Sequence, residues 1–185
     1  MNTNITSKEE ILKISKELIQ NEGTSSISIR KVAKAADIAV GSVYNYFSSK
    51  KDLVNETIES VWREIFHGTQ DEDVFNDIIS CVTWMYKRME NGSKKYHEFF
   101  NLNSFSYLKS DNNQEQDYMD KTWKHILDGI VLVLKKDDKI RDNAFNAEFT
   151  EEKFASIIFT LLLNSSIKKD FDPSALIEII KRTVY

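Results

Sequence analysis

In this chain of 185 residues, the side chains best suited to recognition chemistry fall within one stretch, residues 28–50. Asn45 carries a donor and an acceptor on one amide, the pairing needed to read a base edge, most naturally adenine. The hydroxyls of Tyr44 and Tyr46 are long enough to reach phosphates, where a contact sets register rather than sequence. Ser42 can bond a phosphate or a base edge, and Arg30 can reach phosphate or guanine. Gly41 lets a backbone approach closely, and Val40 can touch a thymine methyl. Tyr44 could instead merely pack; Phe47, with no polar atom, is expected to do only that.

These residues need two helices and a tight turn to hold them. Ser28 can cap a short helix over residues 29–35, because its hydroxyl can accept from a free N–H in the first turn. A second helix is expected over residues 40–47. Between them, Ala36-Asp37-Ile38-Ala39 is too short for a strand, and Asp tolerates the left-handed conformation that a turn requires. Val32, Ile38, Val43 and Phe47 are spaced to meet between the helices, with Ala33 and Ala36 small where backbones come close. Such a pair places its second helix in a DNA major groove.

The stretch resembles the DNA-binding region of the TetR (tetracycline-repressor) family of bacterial transcription regulators. The resemblance runs from Ile11 to about Leu53. It rests on Val32-Ala33, on Gly41-Ser42-Val43-Tyr44-Asn45-Tyr46-Phe47 and on Ser49-Lys50-Lys51-Asp52-Leu53. Asp37 stands where the family usually has Gly, and Val40 where many members have a polar or basic residue. The resemblance implies that Lys50 contacts phosphate. The expected DNA contacts are therefore Ser28, Arg30, Val40, Gly41, Ser42, Tyr44, Asn45, Tyr46 and Lys50. The expected target is double-stranded DNA with a palindromic operator.

The rest of the chain reads as helices, about nine in all. One is expected from Ser7, with Ile11, Ile14, Leu18 and Ile19 on one face and Gly23 at its end. Ser49 and Asp52 open another, reaching about residue 67, which would link the DNA head to the body. Further helices are expected over residues 71–90, ending before Gly92, over 93–109, and over 114–136 with Gly129 inside. Residues 137–149 read as loop. Thr150-Glu151-Glu152-Lys153 opens a helix to about residue 168, and Asp172-Pro173 opens the last, with Asp at the cap and Pro first in the helix. The fold class is all-α: a three-helix helix-turn-helix head, residues 1–51, then a larger helical body, residues 52–185, for effector binding and dimerisation.

Composition narrows the function. The net charge of −4 hides an asymmetry. Residues 1–51 hold eight Lys/Arg against five Asp/Glu, and the remainder holds 17 against 24. A basic head on an acidic body steers DNA to one end. Low Gly, with one Pro, favours long helices. No signal peptide is read at residues 1–6, and the longest apolar run, residues 130–134, is far short of the ~20 residues that span a bilayer. The single Cys81 fits a reducing cytoplasm. His67, His97 and His125 lack partners at metal-ligand spacing, so no metal or other cofactor is expected. No phosphate loop, dinucleotide fingerprint or nucleophile motif points to an enzyme.

Two features of the body remain. Large aromatic residues and Met are dense in the predicted helices after residue 70, and each is first of all a core residue. The family resemblance implies that some line a pocket for a small apolar or aromatic effector. The expected lining is Trp62, Trp84, Phe99, Phe100, Asn103 and Trp123, with Asn103, His97 and His125 as possible polar anchors. Residues 157–163 carry more apolar surface than one core-facing stripe needs. The resemblance implies a homodimer through the eighth and ninth predicted helices. The expected function is a ligand-responsive repressor, and the alternative is a constitutive, architectural DNA-binding protein whose body binds a protein partner.

Overall fold

The structure, a computed structural model, describes residues 7–66, 72–100 and 113–185. Among these are eight α-helices, two 3-10 turns and no strand. The helices are α1 (Lys8–Glu22), α2 (Ile29–Ala35), α3 (Val40–Tyr44), α4 (Lys50–Phe66), α5 (Ile78–Lys95), α6 (Asn113–Lys136), α7 (Glu151–Lys168) and α8 (Ser174–Thr183). The all-α expectation holds. The chain packs as two compact units, Met1–Ile65 with Ser93–Met119, and Phe66–Gly92 with Asp120–Tyr185.

In the first unit, Ser7 caps α1 by accepting from the Glu10 N–H at 3.2 Å, and Ile11 and Ile19 are buried on its inner face. The helix stops at Gly23, whose φ of 79° and ψ of 170° suit only a residue without a side chain. Helix α4 opens on a reciprocal cap. The Ser49 hydroxyl accepts from the Asp52 N–H at 3.1 Å, and the Asp52 carboxylate accepts from the Ser48 N–H at 2.8 Å. Two ion pairs tie α4 to α1: Lys8 to Glu56 at 2.6 Å and Lys16 to Glu64 at 2.5 Å. Each pair spans 48 residues, so contacts advance together and the two helices run in the same direction.

Some expected boundaries moved, for local reasons. A helix was expected from residue 71, but Glu72–Phe75 is a 3-10 turn and α5 begins at Ile78. Asp77 is the cause: its carboxylate accepts from the Ser80 N–H at 2.8 Å and from the Ser80 hydroxyl at 3.0 Å, an N-cap within an apolar spacing that read as continuous helix. At its other end α5 runs through Gly92 to Lys95, because a glycine inside a helix costs only about 1 kcal/mol and need not end it. Residues 93–95 thus belong to α5, and residues 96–100 are turns. The remainder of the helix expected over 93–109 lies outside the described residues, as does His67. The last helix begins at Ser174, one residue later than expected, with Asp172 accepting from the Ser174 N–H at 2.9 Å.

In the second unit, the buried Asp137 just beyond α6 joins three segments. Its carboxylate accepts from the Ile78 N–H at 2.9 Å, from the Lys139 N–H at 3.0 Å and from the Tyr185 hydroxyl at 2.5 Å. It therefore caps α5, shapes the turn after α6 and anchors the segment after α8. Cys81 is buried nearby on α5, and burial pushes its thiol up to about 12, so it is a poor nucleophile. Asp137→Ala should leave a buried N–H and a hydroxyl unsatisfied and cost about 2–4 kcal/mol in chemical denaturation. That corresponds to roughly 2–4 °C of midpoint per kcal/mol for a chain of this size. A loss below about 1 kcal/mol would show that water satisfies these donors instead.

Candidate nucleic-acid interface

The Ser28 hydroxyl accepts from the Lys31 N–H at 3.2 Å and starts α2 as its sequence suggests. The turn after α2 is a Schellman motif: the Ile38 N–H donates to the Ala33 carbonyl at 3.0 Å, and the Asp37 N–H to the Lys34 carbonyl at 3.3 Å. This closure needs a left-handed residue, and Asp37 supplies it with φ 53°. Helix α3 follows over five residues. Its hydrogen bonding persists one step further, the Phe47 N–H donating to the Val43 carbonyl at 3.0 Å. The helix is shorter than the expected 40–47, but residues 45–47 still turn with it.

Burial divides α3 into two faces. Val43 and Phe47 are fully buried together with Val32, while Ile38 is only partly covered. Val40, Tyr44 and Tyr46 are 40%, 53% and 37% exposed, and Gly41 and Asn45 are exposed as well. Val40, Gly41, Tyr44 and Asn45 recur at helical spacing on one side, so the candidate reading residues share a face. Ser42 is half-buried beside them. Arg30 is exposed on α2, and Lys50 is exposed as the first residue of α4, set in place by the Ser48–Asp52 and Ser49–Asp52 bonds.

One further residue was not singled out in sequence: Lys8. Its ammonium lies 5.5 Å from the Phe47 ring centroid while paired with Glu56, so it braces the end of the α3 turn against α4. Neither partner is near it in sequence, and no local signal marks it.

The aromatic candidates fall into separate clusters. In the first unit, Trp62 meets Phe99 and Phe100 edge-on, with centroids 5.9 and 5.7 Å apart. In the second, Trp84 packs with Phe66 and Phe75, and Trp123 with Phe159 at 5.8 Å. The Trp123 indole N–H is enclosed and has no hydrogen-bond partner among the described residues. Asn103 lies outside the described residues, and His97 and His125 are exposed. Among the described residues no group of His, Cys, Asp and Glu could hold a metal ion, and no helix is long and apolar enough to cross a membrane.

Gly41 separates stability from recognition. A methyl group added at its Cα would meet nothing within 4 Å. Gly41→Ala should therefore leave thermal stability unchanged or raise it by up to about 1 kcal/mol. The same change should weaken DNA binding about tenfold, or roughly 1.4 kcal/mol, if a backbone or phosphate sits close there. Titration of a labelled duplex beside a melting curve measures both, and unchanged affinity would mean that this surface stays clear of DNA.

Comparison with known proteins agrees with this geometry. Residues 11–57 match the family described as bacterial regulatory proteins, tetR family. An uncharacterised HTH-type transcriptional regulator of Haemophilus influenzae is 32% identical over 65 residues, covering 35% of this chain and 34% of that protein. The HTH-type transcriptional repressor KstR2 of Rhodococcus jostii is 32% identical over 76 residues, covering 41% and 37%. The chain thus aligns with about a third of the length of these relatives. Among solved structures, the multidrug binding protein EbrR complexed with imidazole superposes with a TM-score of 0.68 at 12% identity, over 96% of this chain and 94% of that one. A TetR transcriptional regulator from Legionella pneumophila gives 0.57 at 20%, over 98% and 100%. The structural likenesses speak to fold alone. In sequence the likeness to the TetR family of bacterial transcription regulators thus lies in the helix-turn-helix, residues 11–57, and in structure it extends to the fold of most of the chain.

Proposed function

We propose that this regulator is a ligand-responsive repressor that binds a palindromic operator as a homodimer in the cytoplasm. Residues 1–51 form its DNA-binding head, and residues 52–185 its effector-binding and dimerisation body. The observation that carries the reading is the outward face of α3, where Val40, Gly41, Tyr44 and Asn45 lie together while Val43 and Phe47 hold the helix from behind. Asn45 and Arg30 read base edges, with Val40 against a thymine methyl; Tyr44, Tyr46 and Lys50 hold phosphates. Ser28 and Ser42 add contacts at the starts of their helices. Repression is the role named for the KstR2 relative.

Exposed apolar side chains support the homodimer. Ile157 and Leu161 on α7 and Ile179 on α8 face solvent in the single chain. A two-fold partner would cover them and present two identical α3 helices to major grooves about 34–36 Å apart. The aromatic clusters, and the Trp123 indole N–H that has no partner among the described residues, support a small apolar or aromatic effector with a hydrogen-bond acceptor. An effector that displaced α4 would alter the separation of the two recognition helices. Shifting the population from 99:1 to 1:99 needs about a 10⁴-fold difference in effector affinity between the two states.

Light scattering tests the dimer. Wild type should run as a dimer at micromolar concentration, and Leu161→Glu should split or unfold it by burying an unpaired charge. A stable wild-type monomer would sink the two-fold reading. Selection from random DNA, followed by titration at several salt concentrations, tests the head. Lys50→Ala should weaken binding to all sequences and flatten the salt dependence by about one charge per half-site. Asn45→Ala should cost about 1–3 kcal/mol at one base pair of each half-site and leave the salt slope unchanged. Failure to enrich a palindrome would favour the architectural alternative.

A further inference from the structure

Glu64, fourteen residues beyond Lys50 on α4, is joined to two other segments of the first unit. One carboxylate oxygen, Oε2, accepts from Lys16 of α1 at 2.5 Å. The other, Oε1, accepts from the buried Tyr96 hydroxyl at 2.9 Å and from Lys95. Each oxygen thus serves a different segment. Burial works to raise the pKa of Glu64, but the bonds from Lys16, Lys95 and Tyr96 outweigh it and hold it down at about 2. The segment that supplies Tyr96 touches both helices again. Phe99 and Phe100 close on Trp62 of α4. Glu98 lies where α1 ends, its Cβ 3.6 Å from the position a side chain at Gly23 would take.

We infer that Glu64 is a positioning residue for DNA binding, pinning α1, α4 and the segment of residues 95–100 to one another so that the helix-turn-helix meets DNA already ordered. The inference rests on the DNA-binding reading above. Lys8–Glu56 and Lys16–Glu64 form two rungs between helices that run in the same direction. Eight residues separate the rungs along either helix, about 12 Å. The lower rung lies against Phe47, at the end of the recognition turn. With both rungs in place the helices cannot slide or pivot independently. With the upper one gone, α1 gains freedom that must be lost again on DNA, and that ordering cost lowers affinity without removing any DNA contact.

The test measures affinity for the duplex that wild type enriches, at several salt concentrations and at a temperature where circular dichroism shows every variant folded. Glu64→Gln and Lys16→Met, which reach the same bond from opposite sides, should each weaken binding about three- to tenfold, in the range of indirect effects. The double variant should lose no more than Glu64→Gln alone, because the bond that Lys16→Met removes is one of those that Glu64→Gln already disturbs. The salt slope should not change, since no phosphate contact is lost. Glu17→Gln, which alters net charge equally at an exposed position of α1, should bind as wild type. Wild-type affinity in both Glu64→Gln and Lys16→Met would overturn the inference. So would an equal loss in Glu17→Gln, or a salt slope reduced by about one in Lys16→Met, which would make Lys16 itself a phosphate contact. A wild-type protein that enriches no duplex would overturn the DNA-binding reading, and this inference with it. Normal wild-type binding matched by Glu64→Gln overturns this inference alone.

Discussion

Helix α3 spans five residues, too few to sustain a helix in water by their own hydrogen bonds. Its position therefore depends on the burial of Val43 and Phe47 against Val32, all fully enclosed. That burial removes any structural task from the opposite side. Val40, Gly41, Tyr44 and Asn45 make no contribution to the core and are available for recognition. The Schellman turn adds the second constraint, because a left-handed Asp37 fixes the angle at which α3 leaves α2.

Charge in the head is more structured than the count of basic residues implies. Lys8, Lys16 and Lys31 are engaged with Glu56, Glu64 and Glu22. Exposed pairs of this kind add little stability, about 0–1 kcal/mol each. Their effect is geometric: two of them hold α1 alongside α4. Arg30 and Lys50, by contrast, lie exposed at the first turns of α2 and α4. The basic residues thus divide into those that brace the head and those that face outward from it.

In the second unit a different economy operates. Asp137 is buried and satisfied by three donors from separate segments, so one carboxylate does what several caps would otherwise do. Helix α7 buries Phe154, Ile158, Phe159 and Leu162 and leaves Ile157 and Leu161 outside. Its apolar residues therefore occupy more of the circumference than the single chain covers, as the composition of residues 157–163 suggested.

The features legible in sequence were those decided within a few residues. Ser7, Ser28 and Thr150 cap their helices by bonds to backbone three positions away, and Asp37 takes the left-handed turn that its short polar side chain tolerates. The alternation of buried and exposed positions on α3 was equally local. Where two local signals competed, reading failed: the apolar spacing around Phe75 and Ile78 hid the Asp77 cap, and Gly92 looked like an end although nothing there required a positive φ. Tertiary structure alone decided that Lys16, Glu64 and Tyr96 meet, that Lys8 lies against Phe47, and that Asp137 binds Ile78 and Tyr185. These partners lie 32 to 59 residues apart or on different helices. A charged side chain carries no mark of which distant partner it will find, because that choice is made by how the helices pack.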